Sequence, residues 1–241
     1  MNPTPYKIHR IRRQLSHGIT AASACTLNAI LKFDGLESPH CVYNEKVAVR
    51  LGQTLHVPVA AGVLTTTSDG PAFASLHVEA PGMNLPNIIP SRAANVAQQY
   101  PREAATLMLF DILIGNYDRS GNLKASVVTP HISVFCAFDH SHALLNIEAD
   151  PYKSIARLDS EKLIAEYHPF HGHLKGSVLD DSLKHLSLCD ESYIKECCFF
   201  GKTFRAVSDD LQEKLANALA RRLKNLPAIV ARHRAKLVNQ P

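Results

Sequence analysis

Residues 102–114, REAATLMLFDILI, leave almost no polar face when wound at helical periodicity. Ala105, Leu109 and Leu113 fall on one side, with Leu107, Phe110 and Ile114 close beside them. A helix apolar over most of its circumference must be enclosed by other elements, so the chain is predicted to fold around this one. A polar loop, GNYDRSGNL, follows directly, and then an apolar run, ISVFCAF, that is predicted as a short buried strand with Asp139 just beyond it. Asn116, Asp118 and Asn122 are thus delivered at the end of a buried helix, and a second carboxylate at the end of a buried strand.

The 241 residues are enough to bury a sizeable core, as one domain or as two lobes sharing a cleft. The formal charge of +4 is concentrated in residues 7–13 and 221–236 and favours anionic partners only weakly. None of the six cysteines forms a CxxC pair, and most sit in apolar surroundings. That pattern fits reduced, buried thiols in a cytoplasmic protein. The amino terminus, MNPTPYKIHRIRRQL, lacks an apolar run of signal-peptide length, and no later run has the length of a membrane span.

Upstream of the apolar helix, residues 18–33 read as a small-residue turn at Gly18 feeding a strand that carries Lys32. Val47, Ala48, Leu51 and Leu55 recur at helical spacing and predict a helix over 43–55. Glu45 falls in its first turn, where the helix dipole favours a carboxylate. Residues 57–67 and 72–78 read as two strands joined by a hairpin at Ser68-Asp69-Gly70-Pro71. The proline-rich stretch 79–95 is predicted to connect a strand-rich first lobe, residues 1–80, to a helical second lobe, residues 81–241. The last long helix, 208–236, has Ser208 as its cap and Asp209 and Asp210 in its first turn, and Pro227 is expected to kink or divide it.

In chain order the polar candidates are Gly18, Lys32 on a strand, Glu45 on the next helix, Asp118 and Asn122 in a loop, and Asp139 after a strand. This is the order in which a two-lobed kinase lays out its site. A lysine reaches the nucleotide phosphates, a glutamate orients it, one carboxylate takes the proton of an attacking hydroxyl, and a carboxamide and a second carboxylate hold magnesium. The stretches ILKF, VYNEKVAVRLGQTLHVPV, LIGNYDRSGNL and AFDHSHAL resemble the HipA-like kinases and, more distantly, the phosphatidylinositol kinases. In those families the catalytic loop reads N-x-D-R-H-x-x-N and is followed by a strand ending in Asp.

The resemblance covers about residues 18–145 and fades in the helical remainder. It implies an ion pair of Lys32 with Glu45, Asp118 as catalytic base, Asn122 and Asp139 as metal ligands, and Gly18 at the nucleotide. Two departures stand out. Ser120 replaces the family's His, and Asn122 follows Asp118 by four residues, one fewer than the family spacing. Asn116 or a water is the substitute ligand if Asn122 misses the metal.

Each residue also has a plainer reading. The sequence from Asp118 to Asn122 is a good turn in its own right. Lys32 alone could be an edge-strand lysine, and Glu45 alone a helix-start residue. His168, His171 and His173, and His140 with His142, come without a cysteine pair or an HExxH helix, and are read as surface or packing histidines with no zinc assigned. Arg119 is read as bracing the loop through an ion pair. Arg12 and Arg13, together with the Arg221–Arg222 and Arg232–Arg234 groups, are read as solvated helix faces.

The combined expectation is an α+β, two-lobed protein-kinase-like fold: a small strand-rich N-lobe with one helix, and a mainly helical C-lobe. Its expected partners are ATP, Mg2+ and an unidentified phosphate acceptor, protein or small molecule. The adenine pocket is expected to be apolar and to include residues 74–78. One alternative is a nucleotide-binding pseudokinase scaffold without turnover. A second is a basic protein that binds nucleic acid through its terminal Arg/Lys clusters.

Overall fold

The structure, a computed structural model, describes residues 6–15, 22–79, 85–127 and 133–239. It opens with a two-stranded antiparallel ribbon, β1 (Ile8–Leu15) and β2 (Ala22–Leu27). Every side chain of β1 is exposed, so its sequence lacks the alternation that marks a half-buried strand. That absence explains why only a charge excess is legible there. Arg12 and Arg13 therefore lie on a strand, in place of the expected helix face.

After Asn28 the chain starts a second sheet, of order β3-β5-β4, made of β3 (Ala29–Lys32), β4 (Gly62–Thr67) and β5 (Gly70–Leu76). The single strand expected before Lys32 is thus two, and the Asn28 carbonyl at the break accepts from the His77 amide. The β4–β5 hairpin turns at Ser68 and Asp69. Thr67 Oγ1 accepts from the Asp69 amide there, as the turn chemistry predicts.

Helix α1 (Cys41–Thr54) buries Val47, Ala48 and Leu51, with Leu55 at its C-cap. It begins two residues earlier than predicted, because the Asp34 carboxylate accepts from the Val42 amide. Glu45 therefore lies past the first turn, and the dipole argument for it does not hold. The proline-rich connection also carries more structure than predicted. Pro90 opens helix α2 (Pro90–Gln99), where its missing N–H costs nothing at the first helical position.

Helix α3 (Pro101–Ile114) is enclosed, with Leu107, Met108, Leu109, Phe110, Ile112, Leu113 and Ile114 all inaccessible to solvent. Two short strands follow, β6 (Leu123–Ala125) and β7 (Phe135–Ala137), paired antiparallel. Ala137 is also clamped on its other edge. Its amide donates to Pro58 O, and its carbonyl accepts from the Ala60 amide. The strand leading to Asp139 is thereby tied to the segment ahead of β4.

The remaining helices are α4 (Pro151–Leu158), α5 (Gly176–Leu186), α6 (Glu191–Cys198) and α7 (Asp209–Leu237). Ser208 caps α7 by accepting from the Leu211 amide. Pro227 lies inside α7 without dividing it, because Leu223 and Leu226 before it and Ile229 and Val230 after it pack into one core. Arg222 is not a solvated residue. Its buried guanidinium donates to the carbonyls of Ile112, Leu158, Ser160 and Lys162. Arg221 and Arg232 are exposed and Arg234 half-buried, and they pair with Asp159, Glu161 and Asp180. Among the described residues, no helix is long and apolar enough to cross a membrane.

Helix α3 ends at Gly115, whose φ of 70° lies in the left-handed region and turns the chain into the polar loop. A Cβ there would stand 2.5 Å from Ile147 Cδ1. Gly121, inside the same loop with φ 80°, has open space around it. Gly121→Ala is expected to cost about 1 kcal/mol, the left-handed penalty alone. Gly115→Ala adds overpacking and should cost about 3 kcal/mol. Equilibrium urea unfolding of both variants measures the difference.

Candidate active site

Lys32 ends β3 opposite Phe73 of the central strand β5. Its ammonium lies 2.6 Å from Glu45 Oε1 on α1 and 2.9 Å from Asp139 Oδ1 beyond β7. Three separate elements therefore place one cation between two carboxylates. Burial opposes the charge on Lys32, but Glu45 and Asp139 outweigh it and raise its pKa above the ordinary lysine value. Burial likewise opposes ionisation of Glu45, whose contacts with His140 and Lys32 hold its carboxyl below the usual range. The Glu45 Oε1 atom also accepts from the His140 amide at 2.6 Å, which pins the carboxylate to the turn after Asp139.

Asp139 itself takes a left-handed backbone, φ 60°, a conformation that aspartate tolerates better than most residues. Its Oδ1 accepts from the Ser141 amide and hydroxyl, and this local turn stabilises the conformation. Burial would raise its pKa, yet the Lys32 ammonium and the Ser141 hydrogen bonds hold it well below the usual carboxylate range.

The polar loop is built on a buried charge. Asp111, within the apolar helix α3, accepts from Arg119 Nε at 2.8 Å and Nη2 at 3.0 Å, Asn116 Nδ2 at 3.0 Å and His168 Nε2 at 3.1 Å. Asp111 and Arg119 are both almost fully buried. Burial works against the Asp111 charge, and Arg119 with His168 more than offsets it, leaving the carboxyl far below its ordinary range. The remaining Arg119 nitrogen, Nη1, donates to the Asn122 carbonyl at 2.7 Å and to the Phe138 carbonyl at 2.6 Å. One guanidinium thus fixes the loop to α3 and to the residue preceding Asp139. The Phe138 amide in turn donates to the Asn122 carbonyl.

On this frame Asp118 is exposed, its amide bonded to Asn116 Oδ1. Asn122 Nδ2 donates to the Asp118 carbonyl at 2.8 Å and stands 3.4 Å from its Oδ2. Asn116 has both ends of its carboxamide engaged, on Asp111 and on the Asp118 amide, and is a bracket for the loop. Its suggested part as a substitute metal ligand is therefore poorly supported. Among the described residues no hydrogen bond or ion pair joins the side chains of Asp118 or Asn122 to Asp139; the link runs through Arg119 and the backbone. Gly18 lies outside the described residues.

A cleft of about 210 Å3 opens between the three-stranded sheet and the β6–β7 pair, lined by Ile30, Lys32, Ser75, Leu76, His77 and Val78 above. Asn87, Lys124, Phe138 and Asp139 complete it. Lys32 and Asp139 mark one end, and Asp118 and Asn122 are not among its lining residues. The expected pocket segment 74–78 does contribute, through Ser75 onward, but the opposite wall is more polar than predicted because of Lys124. Sequence reasoning missed Asp111 and Lys124. Asp111 left a signal, being the lone carboxylate in the apolar run 104–114, whereas Lys124 left none. His168, read as a surface or packing histidine, is packed in the core against Asp111.

No protein-family model matches the chain, and comparison with curated proteins yields no match. Solved structures do share the fold. HipA of Shewanella oneidensis MR-1, a toxin–antitoxin protein solved with HipB and its operator DNA, matches with TM-score 0.53 and 14% identity. The match covers 90% of this chain but 63% of HipA, so this chain spans less than two thirds of that protein's length. The proinflammatory kinase CtkA of Helicobacter pylori matches with TM-score 0.57 and 13% identity, over 92% of this chain and 96% of CtkA. The chain therefore has a kinase-like α+β fold, with a strand-rich N-terminal region and a helical C-terminal region.

Two outcomes follow from the buried frame. Arg119→Met leaves Asp111 short of its countercharge and should cost about 3–5 kcal/mol, read by urea unfolding at neutral pH. His168 and His171 are pushed below the ordinary 6.5 by burial, His171 to about 4. The unfolded chain binds their protons first, so stability is expected to fall as pH drops below 6.5. A His168→Asn/His171→Asn double variant should show a flatter dependence of the urea midpoint between pH 7 and about pH 4.5. An unchanged slope would count against this placement of the two imidazoles.

Proposed function

We propose that this chain is an ATP-dependent phosphotransferase that passes the γ-phosphate to a hydroxyl acceptor, protein or small molecule. The observation that carries the reading is the Lys32 ammonium held between Glu45 and Asp139 at the end of a cleft between two sheets. A lysine fixed by a buried glutamate is oriented before any phosphate arrives, so little conformational entropy is lost on binding. Lys32 contacts the phosphates, and Glu45 positions it. Asp118, exposed and in no ion pair among the described residues, accepts the hydroxyl proton. Arg119 holds the loop in place and takes no part in the chemistry.

Magnesium suits the oxygens on offer. Asp139 Oδ2 and Asn122 Oδ1 accept no hydrogen bond among the described residues, and carboxylate and carboxamide oxygens are the hard donors this cation prefers. A phosphoryl-transfer site needs only one or two such protein ligands, since the phosphates supply the rest. When bound, the ion would neutralise charge on the phosphates.

A second reading, nucleotide binding without turnover, draws on one observation: the Asn122 amide is folded back onto Asp118 in a loop one residue short. The two readings separate in a measurement of ATP turnover and magnesium-dependent ATP binding for wild type, Asp118→Ala and Asp139→Ala. Asp118→Ala should lose at least about 100-fold in turnover with ATP binding retained. Asp139→Ala should lose the magnesium dependence of binding. Equal turnover in all three proteins would remove the catalytic assignment, and binding without turnover in wild type would establish the scaffold.

A further inference from the structure

Lys124 is an unexpected group at the far end of the cleft. It lies on β6 between Leu123 and Ala125, which are buried, so strand alternation turns Lys124 toward the opening. The β3–β5 register gives its place along the cleft. Lys32 is opposite Phe73, and His77 lies four residues further along that chain, roughly 13 Å away at strand rise. The Lys32 and Asp139 end suits phosphates, which leaves the end with His77, Val78, Asn87 and Lys124 for a nucleotide's base.

Two protein contacts fix the ammonium there. Lys124 Nζ donates to Val78 O at 3.1 Å and stands 3.4 Å from His77 Nε2. His77 Nδ1 is bonded to Glu79 Oε1, which assigns the ring proton to Nδ1 and leaves Nε2 as the acceptor. An ammonium has three N–H groups, so one remains without a partner among the described residues.

We propose that Lys124 determines base specificity, and that the cleft accepts a 6-oxopurine nucleoside triphosphate as well as ATP. The inference rests on the nucleotide reading of the cleft. A 6-oxopurine presents two adjacent acceptors, O6 and N7, the pair that lysine and arginine recognise in guanine. Adenine offers N7 but places an amino donor where O6 would be, facing a donor. The Asn87 carboxamide lines the same end and can present either its oxygen or its nitrogen, so it does not discriminate between the two.

The test is equilibrium binding of magnesium complexes of ATP, GTP and ITP to wild type and Lys124→Leu. ITP carries the 6-oxo group without guanine's 2-amino group, so the comparison of ITP with ATP confines the change to the C6 substituent and the adjoining N1 in the unaltered protein. Wild type should bind GTP and ITP within about fivefold of ATP, and Lys124→Leu should weaken both by about tenfold relative to ATP. ATP binding by the variant shows that its cleft is intact. If Lys124→Leu does not fold, Lys124→Met and the wild-type ratios carry the test. Wild type that binds ATP and rejects GTP and ITP by more than about 100-fold overturns the inference and leaves the nucleotide site standing. Ratios unchanged in the variant overturn it equally. Failure of all three nucleotides to bind removes the nucleotide reading and this inference with it.

Discussion

A carboxylate sealed inside an apolar helix is tolerable only if nearly every lone pair finds a donor, and Asp111 meets that condition with Arg119, Asn116 and His168. The consequence is rigidity in the segment that follows. Arg119 can satisfy Asp111 in one geometry, because its planar guanidinium offers two parallel donors to the carboxylate and keeps Nη1 for the carbonyls of Asn122 and Phe138. Loop and strand end are thereby set relative to α3 by a single side chain.

The second cluster follows a different logic. Lys32, Glu45 and Asp139 come from three separate elements, and Glu45 is fully buried while Asp139 keeps part of its surface toward the cleft. Each carboxylate would repel the other without the ammonium between them, and the cation would be poorly placed without both. Coulomb attraction therefore joins the sheet, α1 and the end of β7, beside the apolar contact of Val42 and Val49 with Phe73. The enclosed core under α3 supplies stability, and the polar cluster supplies alignment.

Much of this was legible in the residues. The apolar run of α3, the β4–β5 hairpin and the Ser208 cap follow from local periodicity and turn chemistry, which act within a few residues. Lys32, Glu45, Asp118, Asn122 and Asp139 stand out through their order along the chain and the resemblance of the surrounding stretches to the HipA-like kinases. What the sequence hid was partnership. Arg222 and Arg221 are neighbours of the same type, yet one is enclosed by four carbonyls and the other lies on the surface with Asp159. Glu45 owes its position to Lys32 and the His140 amide, with no contribution from the helix start. Such distinctions depend on contacts across dozens of residues, which no local pattern encodes.

Arg222 also orders events in time. Its guanidinium satisfies carbonyls at the end of α3 and around the end of α4, including Ile112, three residues before the turn at Gly115. During synthesis the chain emerges from its amino end, so the Ile112 carbonyl must wait for a residue made 110 positions later, and the Leu158 carbonyl for one made 64 positions later. The end of α3, on which the loop carrying Asp118 is built, therefore gains this hydrogen bond only once the middle of α7 has left the ribosome and docked.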